Sequence, residues 1–124
     1  MQNSVSYRDL KVWQKAMDLA EVVYEGTRSF PKEETYGLTS QMRRSAVSVP
    51  ANIAEGYGRD SDGAFVQFLR MSQGSLKELE THAILAGRLG FMTPDTTSLT
   101  LERADEIGRM LRGLISSVQQ RTVK

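Results

Sequence analysis

Apolar residues recur at three- and four-residue steps along most of the chain, the spacing of one face of an α-helix. Leu10, Trp13, Met17, Ala20, Val23 and Thr27 form the first stripe, with Ser6 and Asp9 spaced as a capping box ahead of it. Pro31 breaks the pattern after Phe30. Glu33 and Glu34 then suit the positive end of a second helix, whose stripe is Leu38, Met42, Ser45, Val49, Ile53 and Gly56. Pro50 lies inside that stripe. A missing backbone donor and a clash with the preceding turn predict a kinked helix, or two abutting helices, over residues 35–57.

Gly56, Gly58, Asp60, Ser61, Asp62 and Gly63 read as the clearest loop in the sequence. Beyond it, Phe65, Leu69, Ser72, Leu76, Leu79, Ala83 and Ala86 alternate steps of four and three, a heptad seam of the kind that packs near-antiparallel helices at roughly 20°. Gly90 ends this third helix. Thr93-Pro94 is a cap followed by a first-turn proline, and Leu101, Ala104, Ile107, Leu111, Leu114 and Val118 supply the last stripe. No segment alternates as a strand, so the expected fold is all-α: a single domain over residues 1–124, an antiparallel up-down-up-down four-helix bundle with a proline-kinked second helix.

Composition narrows the chemistry. Hydrophobic content of 40% with 25% charged residues fits a globular chain. With no cysteine there are no disulfides, thiolate metal sites or cysteine nucleophiles. The N-terminus MQNSVSYRDL has no apolar stretch of signal-peptide length and no run is long enough to span a bilayer, so a soluble, cytoplasmic protein without membrane partners is expected. The formal charge is +1, without the global basic field of a dedicated nucleic-acid binder. The one asymmetry is the tail, where Arg109, Arg112, Arg121 and Lys124 follow Glu106; they suit the negative end of the last helix, with an anion-binding surface as the alternative.

His82 is the only histidine, and the residue three before it is Leu79, so neither a multi-histidine metal site nor the glutamate-x-x-histidine pairs of di-iron bundles are available. Gly56-Tyr57-Gly58-Arg59 matches no phosphate-loop pattern. No catalytic residue, cofactor or metal is therefore expected; clustered Glu55, Glu78 and Glu80 are the nearest approach to an acid-base site. Gly26, Gly74, Gly87, Gly108 and Gly113 fall within helices, where close approach of another helix, in this subunit or another, offsets their cost.

A polar stripe, Gln41, Arg44, Ser48, Asn52, Glu55 and Arg59, runs beside the apolar one on helix two, and Ser75, Glu78 and His82 match it on helix three. Such stripes face solvent, cross-link helices, or bind a partner. Arg43 and Arg44 point about 100° apart, so one can pair with Glu55, Glu78 or Glu80 while the other reaches outward. The expected structural or interface network is Arg44, Asn52, Glu55, Glu78 and Glu80; the candidate partner or nucleic-acid contacts are Arg43, Arg59, Arg109 and Arg112.

The segments LKVWQKAMDLAEVVY, FPKEETYGLTSQMRRSAVSVPANIAEGYGR and GSLKELETHAILAGRLGF together resemble the four-helix-bundle family of ribosomal RNA intervening-sequence proteins. Many of its members are stand-alone bacterial genes of unassigned activity, and a related branch resembles the accessory protein of diversity-generating retroelements, a basic ring-shaped homopentamer that binds a reverse transcriptase and nucleic acid. The resemblance implies a bundle that assembles into a ring of five. The function expected is a non-enzymatic homo-oligomeric scaffold or adaptor with a protein partner; RNA or DNA binding through basic patches is the alternative.

Overall fold

The computed structural model describes residues 6–123; Lys124 of the basic tail lies outside them. Four helices follow one another, α1 (Lys11–Thr27), α2 (Leu38–Tyr57), α3 (Asp62–Arg88) and α4 (Pro94–Val123), with single 3-10 turns at Tyr7–Asp9 and Lys32–Glu34. No strand occurs among the described residues. Each helix packs on its chain neighbours and α4 closes against α1, with no contact between α1 and α3 or between α2 and α4. That is the contact pattern of an up-down-up-down bundle, square in section.

Local chemistry sets the helix ends. The Ser6 hydroxyl accepts from the Arg8 N–H at 3.1 Å while the Asp9 carboxylate accepts from the Ser6 N–H at 3.0 Å, so the capping box closes on the 3-10 turn ahead of α1. Helix α2 starts three residues later than the sequence suggests, where the Glu34 carboxylate accepts from the Leu38 N–H at 3.0 Å. The loop before α3 is also shorter: Gly56 belongs to α2, Asp62 and Gly63 belong to α3, and Ser61 caps α3 by accepting from the Ala64 N–H at 3.1 Å. Gly90, with φ of +77°, turns the chain out of α3. The Gly90 and Phe91 amides donate to the Gly87 and Ala86 carbonyls at 3.1 and 2.9 Å, the two bonds of a Schellman motif. Thr93 caps α4 as expected, accepting from the Thr96 N–H at 3.2 Å.

The expected stripes of α2 and α3 are buried along their whole length. Helix α2 runs unbroken through buried Pro50, so it is one helix and not two. Two stripes need correction. On α1 the buried row is Val12, Ala16, Leu19, Val23 and Thr27; Trp13 and Ala20 sit on its flank and Met17 is 39% exposed. The helix has two apolar rows one residue apart, and the smaller side chains are the ones that fit between α2 and α4. On α4, Thr100 and Ile115 enter the core, while Leu101 and Leu114 pack at its edge.

Candidate interaction site

The tightest seam lies between α2 and α3. A Cβ on Gly56 would stand 2.6 Å from the Phe68 Cβ and 3.3 Å from the Phe65 carbonyl, so only glycine admits this approach. Further along, the buried Ser72 hydroxyl donates to the Val49 carbonyl at 2.8 Å, one residue before the proline that removes a backbone donor. Ser45, 2% exposed, donates to the Met42 carbonyl at 3.0 Å and lies 3.3 Å from His82 Nδ1. A hydroxyl has one proton. With it on Met42, a hydrogen bond between the two side chains needs the ring to donate from Nδ1.

The polar residues expected to form one network are dispersed in a single copy. Asn52 is half-buried and donates to the Ser48 carbonyl of its own helix at 2.9 Å. Glu55 pairs with Arg59 at 2.9 Å, and Glu80 with Lys77 at 3.1 Å. Glu78 and Glu80, two residues apart, point about 200° apart around α3, so the three carboxylates share no pocket. Arg44 and Glu78 are exposed, and among the described residues neither forms an ion pair.

Three of the four candidate contact arginines are engaged within the chain. Arg43 is the cross-linking member of the Arg43-Arg44 pair: Nε donates to Thr27 Oγ1 at 2.8 Å, Nη2 to the Tyr24 carbonyl at 3.4 Å, and the guanidinium lies 4.5 Å from the Tyr24 ring centroid. Its partners are on α1, not the glutamates of α2 and α3. Arg59 holds Glu55 and lies 4.8 Å from the Phe68 ring centroid. Arg109 pairs with Asp105. Arg112 is exposed without an ion pair among the described residues and borders a shallow groove of about 320 Å³ with Gln73, Gly74, Lys77 and Gly108. At the far end of α4, Arg121 grips Asp62 with two bonds, 3.1 and 2.9 Å long, and these raise its guanidinium above the ordinary pKa. The tail's charge is thus partly tied to the start of α3.

The structure extends the polar stripe Ser75, Glu78 and His82 of helix three into a longer surface with apolar ends. Met71, Ser75, Glu78, His82, Leu85 and Leu89 repeat at steps of four and three along α3, on its outward side next to α2, where His82 reaches Ser45. Met71, Leu85 and Leu89 are 50%, 45% and 52% exposed. This is a second heptad row, whose large apolar members stay exposed. Its spacing is readable in the sequence, but only the burial of the inner row shows that the outer one is spare. Among the described residues no three His, Asp or Glu side chains converge as metal ligands, and no helix is long and apolar enough to cross a membrane.

Comparison with known proteins adds to this geometry. In the crystal structure of a protein of unknown function from the S23 ribosomal protein family of Bacteroides thetaiotaomicron VPI-5482, the same fold recurs, with a TM-score of 0.76 and 22% identity over 84% of this chain and 97% of that one. Comparison with curated proteins gave no match. The family model for the 23S rRNA-intervening sequence protein matches residues 8–113, which takes in α1, α2, α3 and most of α4. The chain therefore belongs to the 23S rRNA-intervening sequence protein family.

Proposed function

We propose that this protein is a non-enzymatic homo-oligomeric scaffold or adaptor, a cytoplasmic ring of five copies that presents a composite surface to a protein partner. The observation that carries the reading is the outer row of α3, where Met71, Leu85 and Leu89 stand in solvent at heptad spacing. Large apolar side chains aligned on one helix face are what coiled-coil-like contacts bury. Support for a non-enzymatic role comes from the dispersal of Glu55, Glu78 and Glu80 and from Ser45, whose proton is committed to a backbone carbonyl. Light scattering of the purified protein at micromolar concentration tests it: the expected mass is about five times the 13.9 kDa of one chain, and a monomer mass overturns it.

RNA or DNA binding is the second reading, and Arg112, exposed beside Lys77 in the α3/α4 groove, is what favours it. Contacts to phosphate weaken steeply with salt. Retention of a mixed nucleic-acid pool at low salt, with release as salt rises and loss in Arg112→Ala, supports that reading; no retention at low salt removes it.

A further inference from the structure

The bundle has a second exposed apolar face, and it differs from the first. Arg43 lies across Tyr24, so the stripe of α2 that contains Arg43 and, four residues on, Val47 flanks α1. Trp13, Met17, Ala20 and Tyr24 run along the facing edge of α1 at steps of four, three and four. Met17, Tyr24 and Val47 are among the most exposed large apolar residues of the molecule. One apolar face therefore lies over α1 and α2, the other along α3 beside α2.

A single two-fold contact of either face with itself leaves the other face bare. A head-to-tail contact, one face of each copy against the other face of the next, covers both. Adjoining sides of a bundle are not opposite each other, so successive head-to-tail copies turn by a constant angle, as a closed ring requires. Charge fits the same arrangement. Glu78 sits in the middle of the α3 row, where burial requires a cation, and Arg44 stands on the outward ridge of α2 with no ion pair of its own.

We infer that the α1/α2 face of one copy packs on the outer row of α3 of a second copy, with Arg44 of one against Glu78 of the other. This rests on the reading of the protein as a homo-oligomer, and the experiment separates the two claims. Arg44→Glu and Glu78→Arg are made singly and together in one chain, checked for helix content by circular dichroism, and measured by light scattering. Both positions are exposed, so neither substitution opens the core. Alone, each is expected to self-associate at least tenfold more weakly than the natural chain; together in one chain they restore association, because every head-to-tail contact then again sets a carboxylate against a guanidinium. A natural chain that is monomeric overturns the homo-oligomer reading and the contact with it. An oligomer that neither substitution weakens, or single losses that the double reversal does not restore, overturns the Arg44-Glu78 contact alone. For a variant that loses helix content, Arg44→Gln and Glu78→Gln take the place of the reversals; unchanged association of both then overturns the contact.

Discussion

Helix α3 carries two rows with the same four-three spacing and opposite fates. The inner row, from Phe65 to Ala86, is buried throughout, with Leu69, Leu76 and Leu79 at the centre of the core. The outer row, from Met71 to Leu89, keeps apolar side chains at its ends but places Ser75, Glu78 and His82 between them. A row that is apolar but for Ser72, whose hydroxyl is bonded to the Val49 carbonyl, suits a fold that never has to come apart. A row with a polar centre can face water when alone and specify register when covered, because its charges accept only a partner of matching pattern.

Substitutions in the two rows should separate fold from assembly. The largest effect is expected from Leu76→Ala, which empties a site 1% exposed and should cost about 2–5 kcal/mol by urea unfolding. Gly56→Ala comes next: the new methyl meets the Phe68 Cβ and the Phe65 main chain, neither of which can swing aside, so a loss of roughly 1–3 kcal/mol is expected in the same measurement. Ser72→Ala removes the hydroxyl bond to the Val49 carbonyl and should cost about 1 kcal/mol. In the outer row, Glu78→Ala should move the unfolding free energy of dilute protein by less than about 0.5 kcal/mol, since no ion pair is lost within the chain. Arg121→Ala should have the least effect: its bonds to Asp62 are exposed and screened, so a difference visible at low salt should vanish as salt is added.

How much the sequence discloses follows from the same contrast. The inner stripes of α2 and α3 were legible because each runs the length of its helix in apolar and small residues, whereas the outer row of α3 is interrupted by Ser75, Glu78 and His82. On α1, Trp13 and Met17 drew the stripe one residue out of place, because periodicity measures how apolar a row is and not which neighbour it faces. Leu114 and Ile115 on α4 present the same ambiguity. Gly56 looked like a loop residue because glycine marks both turns and close packing, and the distinction lies in Phe65 and Phe68 on another helix. Among the charges, the i,i+4 pair Glu55-Arg59 follows from helical spacing, whereas the bonds of Arg43 to α1 and of Arg121 to Asp62 depend on the axial register of packed helices. Register is a property of the assembled bundle and has no local signature.

On this reading the inner row of α3 holds the fold and the outer row holds the assembly. The double variant Met71→Ser, Leu85→Ser tests it most directly, by sedimentation velocity beside the natural chain at equal concentration. The expected result is an oligomer for the natural chain and a folded species near 13.9 kDa for the variant. Equal sedimentation of the two would contradict it.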